Sequence, residues 1–164
     1  MIGTDVEGAA VDDADLECRV ADWAADATVD DAAAVRSVIE AYSDRLAAAD
    51  VAGVVSQFTG NAAAMQPGLE TVIGSRRLTA SYEAAFENMR LDFTSRCDDI
   101  TVEGDLAAVR ATSLGTITIR ATGETQPACF RQLFVLQRTQ AGWKIAQYMY
   151  QQMPEQSGGG CSGI

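Results

Sequence analysis

The run Pro127 to Gln151, PACFRQLFVLQRTQAGWKIAQYMYQ, constrains the fold more than any other stretch of this chain. Two segments rich in β-branched and aromatic residues, Ala128 to Arg138 and Trp143 to Gln151, flank the connection Thr139-Gln140-Ala141-Gly142, a pattern that predicts a β-hairpin. Phe130, Phe134 and Leu136 share one parity in the first segment, and Trp143, Ile145 and Met149 share one in the second. Such alternation puts one face of the hairpin in a core. Tyr148 and Tyr150 have the opposite parity. With the Trp143 face inward they belong to the outer face and suit a dimer interface, where aromatic residues are enriched; with the parity reversed they line a pocket.

The remaining periodicities are ordered. From Val35 through Val38, Ile39, Tyr42 and Leu46 to Ala49 the apolar residues follow the spacing of one helical face, and Thr28 followed by acidic residues predicts its start. Asp50 is expected to cap a second, shorter helix through Val51, Val54, Val55 and Phe58. Ala62 to Gln66 reads as a short strand stopped by Pro67-Gly68, with a loop to Gly74. Leu78, Tyr82, Ala85, Phe86 and Met89 predict a third helix over Ser75 to Met89. From Leu91 the period becomes two: strands at Leu91 to Val102 and Leu106 to Ala121, turns at Glu103-Gly104-Asp105 and Thr122-Gly123-Glu124, then the hairpin. Helices followed by an antiparallel meander make an α+β pattern.

A chain of 164 residues with 48% hydrophobic content suffices for one domain with a real core. The expected boundaries are an acidic N-terminal extension at 1–27, the domain at 28–153 and a flexible Gly-rich tail at 154–164. Leu16, Val20 and Trp23 predict a short helix within Asp13 to Ala27.

Histidine is absent, which excludes imidazole acid-base catalysis, His-based triads and His-ligated metals. The net charge of -11, from 23 acidic and 12 basic residues, argues against binding nucleic acid or an anionic membrane surface. Cys18, Cys97, Cys129 and Cys161 lack metal-site or framework spacing, and Cys97 and Cys129 are expected as small buried hydrophobes. The start MIGTDVEGAAVDD has no signal-peptide character and no run of about 18 apolar residues occurs, so a cytoplasmic protein is expected.

The element order, together with AAADVAGVVSQF, AMQPG, the Glu-Gly-Asp turn before a strand and RQLFVLQRTQAGWKIAQYMY, resembles the SnoaL-like, ketosteroid isomerase-like branch of the nuclear transport factor 2-like superfamily from about Val35 to Gln151. The resemblance implies a curved antiparallel sheet wrapped against three helices as a cone, open at one end on an apolar pocket. Ketosteroid isomerases, polyketide cyclases, epoxide hydrolases and dehydratases share this fold, and homodimers through the sheet are common. Carried over by position, Tyr42 falls where the isomerases hold an oxyanion-binding Tyr. Gln66 stands at the place of their general-base Asp, and an amide accepts no proton near neutral pH. The strand Ala128 to Arg138 contains no acid, whereas the isomerases place a protonated Asp on a late strand.

On these grounds the expected ligand-binding residues are Tyr42, Met65, Gln66, Phe86, Phe93, Arg131 and Phe134, each with a structural alternative in ordinary core or surface packing. Arg131 either pairs with an acid across the sheet, Asp99 or Glu124, or binds an anion. Asp98 and Asp99, adjacent on one strand, are expected on opposite faces. The expected partner is a small apolar or polycyclic molecule, bound without cofactor or metal by a cyclase, isomerase or hydratase whose catalytic residues the sequence does not assign. The alternatives are a non-catalytic binding or dimerisation module, or a scaffold presenting the Cys161 tail for modification.

Overall fold

The computed structural model describes residues 19–20 and 29–154. Its elements run β1 (Arg19–Val20), α1 (Val29–Ala47), α2 (Val51–Val55), β2 (Phe58–Met65), β3 (Val72–Ile73), α3 (Ser75–Asn88), β4 (Met89–Glu103), β5 (Leu106–Ile119), β6 (Thr125–Thr139) and β7 (Gly142–Gln152). One seven-stranded sheet has the order β1-β4-β5-β6-β7-β2-β3. Strands β4 to β7 form the expected antiparallel meander, while β2 joins β7 in parallel. The architecture is α+β, a cone-shaped curved sheet packed on three helices.

The helical stripe forms as its spacing dictates. Val35, Ile39, Tyr42 and Leu46 of α1 are all buried, and the helix lies against β4. Fully burying side chains such as Val35 and Ile39 contributes about 1.5–3 kcal/mol each. Asp50 caps α2 through its carboxylate, which accepts from the Gly53 amide at 2.9 Å. Leu78, Tyr82 and Phe86 form the buried face of α3.

Several boundaries differ from the sequence reading. Phe58, expected at the end of α2, begins β2 instead, because the ladder to β7 recruits it opposite Ile145. The segment expected as a loop before Gly74 contains β3, paired with Ala63 and Ala64 of β2. Arg19–Val20, expected within a helix, form a strand parallel to Asp99 and Ile100. The rest of that expected helix, the Thr28 cap and the 155–164 tail with Cys161 lie outside the described residues, as does Cys18.

Bulges bend the sheet and reset its parity. In β4 the register slips between Cys97 and Asp99, so Cys97 and Ile100 both face inward. Asp98 and Asp99 are therefore not on opposite faces: Asp98 bonds to Arg96 and Thr112 on the outer side. In β7 the register slips at Ala146, between the pairs Val135–Gln147 and Leu136–Ile145. Trp143 and Ile145 are buried before the bulge and Tyr148 after it, while Met149 is 46% exposed. Neither uniform parity holds. The bulge lets Trp143, Ile145, Tyr148 and Tyr150 share the inner face.

Gly115 sits opposite Phe93 where β4 and β5 draw close. A Cβ there would lie 1.9 Å from the Asp92 carbonyl oxygen, so only glycine fits.

Candidate functional site: a neutral hydroxyl and amide network inside an aromatic shell

Gln132 occupies an inward position on β6 between Phe130 and Phe134, and three strands meet at its amide. Its Oε1 accepts from the Ser113 hydroxyl at 2.6 Å, and Ser95 lies 2.6 Å from Ser113 and 3.4 Å from the same amide oxygen. Its Nε2 donates to the Tyr148 hydroxyl at 2.8 Å. Ser43 of α1 ties the helix to this row, donating to the Phe93 carbonyl at 3.2 Å and accepting from the Ser95 amide at 3.2 Å. The Tyr42 and Tyr82 hydroxyls are 3.1 Å apart, joining α1 to α3.

Aromatic rings enclose the network. Tyr42 packs edge-on against Phe58, Phe134 and Tyr148, with centroids 5.5–5.9 Å apart. Phe134 stacks on Tyr148 at 4.6 Å. Phe93, Phe130 and Tyr150 continue the shell at 5.1 and 5.4 Å. Such edge and offset contacts stabilise beyond their buried area.

Among the described residues no buried side chain is charged; the buried polar ones are Ser43, Thr112, Ser113 and Gln132, besides the tyrosines. Burial pushes the phenols of Tyr42, Tyr82 and Tyr148 well above the usual tyrosine value, and the neighbouring Tyr148 raises Tyr42 and Tyr82 further. Burial also raises Tyr150. At neutral pH these groups stay protonated, so they donate hydrogen bonds and do not act as bases.

The seven residues expected from sequence separate into two places. Tyr42, Phe86, Phe93 and Phe134 are buried in the aromatic shell. Met65, Gln66 and Arg131 line a groove of about 510 Å³ that opens on the outer face of the sheet, where Leu133 and Met149 are exposed, and that also borders Gln132 and Tyr150. Gln66 donates to the Ser81 hydroxyl of α3 at 3.2 Å. Arg131 faces outward and its guanidinium donates to the side-chain Oε1 of Gln151, not to Asp99 or Glu124. Cys97 and Cys129 are buried, as expected.

The SnoaL-like domain model matches residues 35–153, the span that holds both the aromatic shell and the network. The chain belongs to the SnoaL-like family. Solved structures similar to this SnoaL-like chain agree on the fold. A ketosteroid isomerase-like protein from Erwinia carotovora atroseptica SCRI1043 is 27% identical with a TM-score of 0.74, covering 78% of this chain and 100% of its own. A candidate dehydratase of the nuclear transport factor 2-like family from Streptomyces avermitilis is 18% identical with a TM-score of 0.67, covering 78% and 100%. A nuclear transport factor 2-like protein with a cystatin-like fold from Novosphingobium aromaticivorans is 18% identical with a TM-score of 0.60, covering 80% and 87%. No curated protein sequence matches.

Sequence reasoning missed Gln132, Ser95 and Ser113 as parts of the SnoaL-like interior, and gave Tyr82 only as part of the apolar pattern of α3. A signal for Gln132 was present: it is a polar residue at the same parity as Phe130 and Phe134. Tyr148 was hidden by the Ala146 bulge, which periodicity does not reveal. No helix among the described residues is long and apolar enough to cross a membrane.

Proposed function

We propose that this SnoaL-like protein binds a small, largely apolar or polycyclic molecule bearing a carbonyl or hydroxyl, and does so without a carboxylate base. The observation that carries the reading is the coexistence of an aromatic interior with neutral hydrogen-bonding groups and no buried charge among the described residues. Tyr82, Phe86 and Phe93 keep 7–8% of their surface exposed, which favours ligand entry along α3 and the start of β4. Phe86, Phe93 and Phe134 supply walls; Tyr42 and Tyr82 supply donors. A neutral phenol buried in this way stabilises a carbonyl oxygen without competing water.

The test is thermal stabilisation by a panel of polycyclic ketones and alcohols, followed by calorimetry on any hit. The expected result is saturable binding of a neutral ketone, weakened about tenfold in Tyr42→Phe, the loss of one hydrogen bond of about 1.4 kcal/mol. Binding indifferent to Tyr42→Phe and to Tyr82→Phe overturns this assignment of donors.

Two observations favour further readings. The Tyr42 and Tyr82 hydroxyls at 3.1 Å form a pair suited to hold a developing oxyanion, which supports a cofactor-independent isomerase, cyclase or hydratase; turnover of a bound ketone lost in Tyr42→Phe tests this. The outer face of the sheet exposes Leu106 at 54% and Leu114 at 43%, which supports a homodimer through the sheet. Light scattering against protein concentration, with Leu114→Glu as the disrupting variant, tests that reading.

A further inference from the structure

The groove opens on the outer face of the sheet and is bordered by Gln132 and Tyr150 of the interior as well as by outward-facing side chains. The strand registers align Arg110 of β5 with Leu133 of β6, Leu133 with Met149 of β7, and Met149 with Met65 of β2. This row crosses three inter-strand spacings, about 14 Å at ~4.8 Å each. Leu133 and Met149 are 44% and 46% exposed, unusual for large apolar side chains, and Pro67 closes the β2 end. The floor is thus a continuous apolar track leading away from an arginine.

A second guanidinium stands beside the first. Arg131 is diagonal to Arg110 across the β5–β6 pair, a separation that long side chains bridge. Gln151 holds the Arg131 guanidinium through Nε and Nη2, leaving its remaining N–H groups for another acceptor. Elsewhere Arg45, Arg96 and Arg138 each have a carboxylate within 3.1 Å. Among the described residues Arg110 and Arg131 have no carboxylate within 4 Å, although Asp99 lies opposite Arg110 in register. Among the described residues no acidic one lines the groove, in a chain whose net charge is -11. Positive charge at one end and apolar track behind it complement an amphiphilic anion, and guanidinium pairs readily with carboxylate in two-point geometry.

We propose that this groove is a second binding site, for a small amphiphilic carboxylate whose head meets Arg110 and Arg131 and whose hydrocarbon tail lies along Leu133, Met149 and Met65. The residues assigned to hold this ligand are distinct from the Tyr42–Tyr82 pair, although Gln132 and Tyr150 of the interior also border the groove. A second copy of the chain packing over the same floor is the competing occupant.

The test is calorimetric titration of the full chain with decanoate, decan-1-ol and decyltrimethylammonium, each below its micellar concentration. Decanoate is expected to saturate one site. Arg110→Gln and Arg131→Gln are each expected to weaken it roughly tenfold, as for loss of a charge-assisted hydrogen bond, with melting temperatures unchanged. Arg90→Gln, which removes a cation beside Asp92 at 3.7 Å and outside the groove, is expected to leave binding unaltered. Decan-1-ol or the ammonium binding as tightly as decanoate overturns the proposal, as does decanoate binding that survives both groove substitutions. Absence of decanoate binding also overturns it, whether the chain is then monomeric or, by light scattering, a dimer that covers the groove.

Discussion

Gln132 on β6 donates from Nε2 to the Tyr148 hydroxyl on β7 at 2.8 Å, with the two residues only 6% and 5% exposed. The bond exists because the bulge at Ala146 brings Tyr148 to the inner face, where its ring meets Tyr42 and Phe134. The amide at the same time receives Ser113, so one side chain satisfies groups on two neighbouring strands.

Replacing this amide is expected to cost more than its size. Gln132→Leu leaves the Ser113 and Tyr148 hydroxyls short of a partner in a buried setting, a loss of about 1–3 kcal/mol. Urea unfolding measures it, and adding Tyr148→Phe should recover part of the loss. Equal stability of Gln132→Leu and wild type would show that the network contributes nothing net.

Deleting Ala146 removes the residue that resets parity in β7. Trp143, Ile145, Tyr148 and Tyr150 then share one face by plain alternation, because the extra residue that separates their two parities is gone. The expected outcome is that near-ultraviolet circular dichroism and cooperative unfolding are both retained, and loss of both would show that Ala146 does more than reset parity.

Gly115→Ala is expected to destabilise by about 3 kcal/mol or more, because the new Cβ would meet backbone that cannot swing aside. The Asp92 carbonyl oxygen lies 1.9 Å from that position, whereas at Gly60 nothing lies within 4 Å. Gly60→Ala is therefore the matched control, and similar chemical denaturation midpoints for the two variants would contradict the steric account.

Alkali should unfold the protein through its tyrosines. In the folded state burial raises the phenols of Tyr42, Tyr82 and Tyr148, whereas in the unfolded chain they ionise near the usual value of about 10. The folded state therefore holds more protons above that pH. Stability is fully present below about pH 10 and falls as pH rises beyond it, by up to about 1.4 kcal/mol per pH unit for each such tyrosine. Phenolate absorbance from these residues should emerge together with unfolding. Its appearance in a still folded protein would refute the burial.

Phe134→Ala is expected to cost about 3–5 kcal/mol, since the ring is fully buried and stacks on Tyr148 at 4.6 Å. Thermal or urea unfolding reads this directly, and a loss below about 1 kcal/mol would mean the interior collapses around the gap.

Local periodicity alone determined the helices α1 and α3, the Asp50 cap, the meander β4 to β7 and the hairpin around Gly142, because each depends on neighbours in sequence. The absence of histidine and the lack of an acid in Ala128 to Arg138 were equally legible, and they removed whole classes of chemistry before any coordinates. Tertiary structure alone decided that Tyr148 faces inward while Met149 does not, that Asp98 and Asp99 avoid opposite faces, and that Met65, Gln66 and Arg131 lie apart from Tyr42 and Phe134. The physical reason is common to the first two, whereas Arg131 and Phe134 part by plain alternation along β6. A bulge adds one residue to one strand and inverts every side chain beyond it, and nothing in the residue pattern marks where the partner strand will demand that extra residue.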